Sequence, residues 1–192
     1  CHFANIGVDV LLLDIVPNAL TDKESAKGLT LESPTVRNRI VDESLTTALK
    51  SNPSPVYTKD RARFIETGNF DDHLPRIAEC DWIIEVIIER LDIKQSLFER
   101  VEKYRKPGTL ITSNTSGIPI KMMSEGRSED FQKHFAGTHF FNPPRYLKLL
   151  ELIPGPKTDP LVMEFLMDYG KRFLGKTTVW CKDTPAFIAN RI

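Results

Sequence analysis

Two hydrophobic patterns alternate along the chain. Short, nearly unbroken apolar runs occupy residues 8–14, 81–88, 109–113, 135–141, 147–153 and 177–181. Runs of this length between turn formers predict strands covered on both faces, as in a parallel sheet. Longer stretches place apolar residues at helical spacing. Pro34 at a first helical position predicts a helix with Val36, Ile40, Leu45 and Leu49 on its buried stripe, stopped by Pro53 and Pro55. Residues 92–104 repeat the pattern with Ile93, Leu97, Val101 and Tyr104, and Asp159-Pro160 opens a helix through Leu161, Phe165, Tyr169 and Phe173 that Gly175 stops. Cys1 to Ile6 reads as the last turns of a helix closed by Gly7, residues 17–33 as an unpatterned polar connection, and Phe64-Ile65 as a short strand before a Gly68-Asn69 turn. Alternating strands and helices of these lengths predict an α/β fold around a doubly wound, mostly parallel sheet.

Charge and composition narrow the class. The 192 residues carry 26 Lys+Arg against 26 Asp+Glu, which argues against a general binder of nucleic acid or another polyanion. With 41% hydrophobic and 27% charged residues the chain has the composition of a folded globular protein. No apolar run approaches the ~20 residues needed to span a bilayer. The three cysteines, Cys1, Cys80 and Cys181, lie far apart with neither disulfide-framework nor zinc spacing. A reducing, cytoplasmic setting without a metal is therefore expected. Residue 1 is not Met and heads no leader, so the start of the protein is expected upstream.

Three positions invite chemistry. Asp14 closes a buried strand, where a carboxylate can accept both ribose hydroxyls of an adenosine, although Asp also serves as an ordinary strand terminator or helix cap. The glycine-rich phosphate loop and the first strand that would precede such an Asp are not in the chain as read. His139 stands at the end of one apolar strand, and Glu151, 12 residues later, lies inside the next. A carboxylate on an apolar strand costs several kcal/mol unless it is paired, so a hairpin-like return joining it to the imidazole is expected. Such a pair is a histidine base held in one tautomer by an acid.

Four motifs carry a family resemblance: His139-Phe-Phe-Asn-Pro with Glu151; Ser113-Asn114-Thr115-Ser116; Glu85-Val86-Ile87-Ile88-Glu89 with Lys94; and Lys182-Asp183-Thr184-Pro185-Ala186-Phe187-Ile188-Ala189-Asn190-Arg191. Together they resemble the NAD-binding domain of L-3-hydroxyacyl-CoA dehydrogenases, especially the longer bacterial forms, some fused to an enoyl-CoA hydratase module. The resemblance implies a Rossmann-type fold, NAD as cofactor and an acyl-CoA substrate. It also implies oxidation of (3S)-3-hydroxyacyl-CoA in fatty acid β-oxidation, with His139 as base and Glu151 orienting it. Ser116 and Asn190 match substrate contacts, and Asp14, Glu89, Lys94 and Asn142 match cofactor contacts. Residues 1–185 would form an N-terminally truncated cofactor domain. Residues 186–192 would start the connection to an absent C-terminal helical domain, through which a homodimer would form.

Two other readings stay open at this point: a dehydrogenase of a smaller hydroxy acid, and a dinucleotide-binding module without turnover. The second has no need for a costly buried pair.

Overall fold

A computed structural model describes residues 1–191. The chain forms two compact units, Cys1–Pro75 and Arg76–Ile192.

In the first unit a 3-10 turn, Ala4–Ile6, ends at Gly7, whose φ of 83° lets its N–H return to the Ala4 carbonyl. Strand β1, Val10–Asp14, follows. The polar stretch expected to be unpatterned holds a short helix, α1, Asp22–Ala26, opened by a reciprocal capping box between Thr21 and Glu24. The helix expected from Pro34 is broken at Asn38 into α2, Pro34–Arg37, and α3, Arg39–Lys50, with Val36 and Val41 buried. Strand β2, Ile65–Asn69, pairs parallel with β1 and runs through the positions expected to turn. Glycine suits this strand because a Cβ at Gly68 would lie 2.9 Å from the His73 ring and 3.0 Å from Leu13.

The second unit contains β3, Trp82–Glu85; α4, Leu91–Tyr104; β4, Leu110–Ser113; α5, Ile120–Ser124; α6, Glu129–Lys133; β5, Phe135–Phe140; β6, Leu149–Pro154; α7, Pro160–Arg172; and β7, Thr177–Trp180. Its five strands lie in the order β3-β4-β5-β6-β7. All neighbouring pairs are parallel except β5 and β6. Successive residues face opposite sides, so Ile111, Phe135 and Ile153 join Phe98, Ile120 and Phe131 in one core, while Leu110, Ala136 and Leu152 join Met163 and Leu166 in another. Burial on both faces explains the continuous apolar runs of β4, β5 and β6, while the edge strand β7 leaves Thr177 and Trp180 exposed. The mixed α/β class and mostly parallel pairing agree with the expectation from sequence.

In the second unit three expectations need correction. The 81–88 run stops as a strand at Glu85, leaving Val86 and Ile88 exposed, because the Ile87 N–H folds back 2.6 Å from Glu85 Oε1. Helix α4 buries Lys94, Phe98 and Val101, and leaves Ile93 and Tyr104 exposed. Helix α7 buries Met163, Leu166 and Gly170, so the aromatic series read from its spacing faces outward. There Tyr169 packs 5.4 Å from Phe165 and 5.0 Å from Phe173, with Trp82 edge-on to the first two. Spacing of four overshoots the 3.6-residue turn. Gly170 decides the inward face, since a Cβ there would lie 2.6 Å from Thr178 Cγ2.

No helix among the described residues is long and apolar enough to cross a membrane.

Candidate active site

Strands β5 and β6 make His139 and Glu151 direct cross-strand partners. Their side chains share one face, and His139 Nδ1 lies 2.7 Å from Glu151 Oε2. A carboxylate only accepts, so this contact assigns the proton to Nδ1 and leaves a lone pair on Nε2. His139 is 5% exposed and Glu151 is fully buried. Phe141, at 4.4 Å, and Phe187, at 5.8 Å between ring centroids, flank the imidazole.

The other oxygen of Glu151 accepts the N–H groups of Ile188 at 3.1 Å and Ala189 at 2.9 Å. Those amides reach it because Ala186 and Phe187 adopt left-handed φ values of 63° and 50°. Left-handed backbone costs roughly 1–2 kcal/mol per non-glycine residue. Burial of Phe187 and the two bonds to Glu151 offset that strain. One carboxylate thus holds both the histidine and the 3-10 turn, Ala189–Arg191, that carries exposed Asn190. Cys181 borders the same carboxylate: burial, and then the Glu151 charge, push its thiol up to about 11, so it stays neutral.

A second buried network stands at the carboxyl ends of β3 and β4. Lys94 Nζ donates to Glu85 Oε1 at 2.7 Å, to the Ile87 carbonyl at 3.3 Å and to Glu89 Oε2 at 3.3 Å. The Lys94 and Glu85 side chains are each 1% exposed. Glu85 Oε2 accepts the Ser113 hydroxyl at 2.5 Å. Glu89 Oε1 accepts the Thr115 hydroxyl and the N–H groups of Ser116, at 3.0 Å, and Gly117, at 3.1 Å. Burial raises the Glu89 carboxyl, but the Thr115 hydroxyl and the Lys94 charge outweigh it and hold the group below its usual range. Ser116 is left exposed on a loop whose backbone these bonds hold. Asn114 joins the two networks, its backbone N–H donating to the Glu85 carbonyl at 2.8 Å and its Oδ1 accepting the Phe140 N–H at 2.9 Å, next to His139.

The structure therefore joins His139, Glu151 and the Asn190 turn in one cluster, and Ser116, Glu89 and Lys94 in another bonded to it. Asn142 is exposed beyond the end of β5, before a cis Asn142-Pro143 bond. Asp14 stands in the first unit at the carboxyl end of β1. Its Oδ1 accepts the Ile15 N–H at 2.8 Å, and among the described residues its other oxygen accepts nothing. A carboxylate oxygen with no acceptor duty at the end of a parallel strand fits the ribose of a dinucleotide.

Three residues with evident work had no assigned role. Glu85 announces itself as Glu151 does, a carboxylate at the end of an apolar run that needs a partner. Asp183 accepts the N–H groups of Ile120 at 2.8 Å and Lys121 at 2.9 Å, capping α5 from 62 residues away, which no local pattern reveals. Asn114 gave only its place in a motif. Among the described residues, no group of three His, Cys, Asp or Glu is placed to hold a metal ion.

Comparison with known proteins adds a family. The family described as 3-hydroxyacyl-CoA dehydrogenase, NAD binding domain, matches residues 1–184. A Bacillus subtilis protein named a probable 3-hydroxyacyl-CoA dehydrogenase is 51% identical over 191 residues, 100% of this chain and 24% of that protein. A Rickettsia felis protein with the provisional name of fatty acid oxidation complex trifunctional enzyme is 39% identical over 98% of this chain and 24% of its own length. The crystal structure of 3-hydroxybutyryl-CoA dehydrogenase from Escherichia coli K12 superposes with a TM-score of 0.71 at 29% identity, covering 99% of this chain and 36% of that one. The chain thus spans about a quarter of the length of these two relatives.

Proposed function

The chain belongs to the family of 3-hydroxyacyl-CoA dehydrogenase NAD-binding domains, with NAD as its cofactor, and from that premise we propose that the protein oxidises (3S)-3-hydroxyacyl-CoA to 3-oxoacyl-CoA in fatty acid β-oxidation. The observation that carries this reading is the His139–Glu151 pair, 2.7 Å apart at a directly opposed position of the β5–β6 ladder. The name of the Rickettsia relative supports the fatty acid setting, and that of the Escherichia coli neighbour supports a hydroxyacyl thioester.

In this mechanism His139 Nε2 accepts the proton of the 3-hydroxyl as C3 is oxidised. NAD, when bound, supplies the acceptor for the hydride leaving C3. Glu151 keeps Nδ1 protonated and faces the imidazolium with an opposite charge as it forms. Its two backbone donors stop it from swinging away. Ser116 and Asn190 hold the substrate near the reacting carbon, while Asp14, Glu89, Lys94 and Asn142 serve the cofactor side. For Lys94 that service is indirect, since its ammonium already meets Glu85, Glu89 and the Ile87 carbonyl. Residues 1–185 act as the cofactor domain. Residues 186–192 lead toward a further helical domain through which the protein dimerises; Ile192 lies outside the described residues. Three free cysteines suit the reducing cytoplasm.

The test is an absorbance assay of the full-length protein with acetoacetyl-CoA. It should consume NADH with a kcat/KM well above that for NADPH, because the Asp14 carboxylate repels a 2′-phosphate. No turnover of the thioester would sink the function, and equal use of both cofactors would remove Asp14 from its role.

Glu151→Gln separates orienter from base. One oxygen of Glu151 already accepts the Ile188 and Ala189 N–H groups, so the variant amide turns its NH2 to Nδ1, removes the charge facing the imidazolium and favours the wrong tautomer; kcat should fall by roughly 10²- to 10⁴-fold. NADH affinity, read by fluorescence titration, should stay within about twofold. An unchanged kcat would make the pair structural.

A further inference from the structure

Lys176 lies between α7 and β7, with its side chain turned inward and the residue only 6% exposed. Its ammonium donates to the carbonyl oxygens of Pro144 and Leu147, the latter at 2.8 Å, and sits 5.7 Å from the centroid of the Phe140 ring. Among the described residues it meets no carboxylate, and burial pushes its amine below the usual lysine range. A lysine taken out of water without a counter-ion is costly, and carbonyl dipoles and a ring face compensate only in part. Its acceptors indicate what the cation secures.

Both carbonyls belong to residues 141–148, the connection between the strand of His139 and the strand of Glu151. This connection has a turn of its own, with the Tyr146 and Leu147 N–H groups on the Pro143 carbonyl at 3.0 and 3.1 Å. The Lys176 backbone is anchored independently, its N–H on the Gly170 carbonyl at 2.8 Å, and the Thr177 N–H meets the Lys148 carbonyl at 2.8 Å. Lys176 thus ties the connection to the α7–β7 corner by its side chain. Asn142 lies on the same connection, between His139 and the two clamped carbonyls.

We propose that Lys176 is a positioning residue, clamping residues 142–148 so that Asn142 is presented to the cofactor in one place. The inference rests on the reading of Asn142 as a cofactor contact. Lys176 touches neither substrate nor cofactor in this role and acts through the loop. Preorganisation lowers the ordering cost of binding, so the effect belongs in cofactor affinity more than in the chemical step.

The experiment uses full-length Lys176→Met, which keeps the apolar stem and removes the donors, beside Asn142→Ala. Lys176→Met should raise the NADH dissociation constant and the KM for NAD by about tenfold, with kcat changed by less than about threefold. Trypsin should cut after Arg145 faster than in the parent protein, with the fragment identified by mass spectrometry. Asn142→Ala should weaken NADH by a similar factor without exposing Arg145. Unchanged cleavage overturns the clamp. Faster cleavage with an NADH dissociation constant within about twofold of the parent overturns its link to the cofactor. If Asn142→Ala binds NADH normally while Lys176→Met does not, the reading of Asn142 fails and the clamp acts through another loop residue. Should Lys176→Met not fold, Lys176→Gln, which is neutral and too short to span both carbonyls, carries the same expectations and the same refutations.

Discussion

His139→Ala is expected to lower kcat by roughly 10²- to 10⁴-fold, the usual contribution of a positioned general base. NADH affinity should barely change, because the imidazole acts as the proton leaves and the cofactor contacts lie on other residues. The substitution opens space beneath Phe141 and Phe187, which pack against the ring. Circular dichroism and melting of the variant should therefore accompany the kinetics. Glu151 keeps its two backbone donors in the variant, so the Ala189–Arg191 turn should hold. A variant that loses activity only by losing NADH binding would assign His139 to the scaffold.

The largest effect on stability is expected at Lys94. Lys94→Met removes the partner of a carboxylate 1% exposed, leaving Glu85 with the Ile87 amide and the Ser113 hydroxyl for its charge. Breaking a buried pair from one side costs about 3–5 kcal/mol, mostly from the charge left behind. Urea unfolding followed by the fluorescence of Trp82 and Trp180, both in the second unit, should show it. Lys94→Met combined with Glu85→Gln should recover much of the loss, because the stranded charge is gone. A single variant within about 1 kcal/mol of the parent would mean that water or rearrangement already serves Glu85.

What the sequence made legible follows from how each element is stabilised. Strands β4, β5 and β6 of the second unit are covered on both faces, so their apolar runs stand out without reference to partners. The His139–Glu151 pair was legible for a related reason: a carboxylate amid apolar neighbours demands a partner, and a two-strand return supplies one. Helix faces were less legible. Lys94 lies on the buried side of α4 and carries its charge inward to Glu85, so the stripe read from apolar spacing caught Val101 but took in exposed Ile93 and Tyr104 and missed Lys94 and Phe98. In α7 an aromatic series that packs on itself and on Trp82 mimicked a core stripe. Glu85, Asp183 and Lys176 work through partners distant in sequence or through backbone carbonyls, and neither kind of partner leaves a periodic trace. The Thr21/Glu24 capping box was present as a local signal, but it opens a helix of a single turn with no apolar stripe to mark it.

The antiparallel β5–β6 ladder also settles where this chain can change length. His139 and Glu151 meet because they are opposed in the ladder, and their separation along the chain plays no part. Residues added or deleted within 141–148 leave the pair facing each other. A single residue inserted inside either six-residue strand turns one of the two side chains to the opposite face and parts acid from base. Past Phe141 and Asn142, which flank the imidazole and serve the cofactor, the connection is therefore the segment open to grafting or lengthening, subject to the hold of Lys176, while the strands on either side tolerate exchanges of side chain but no change in count.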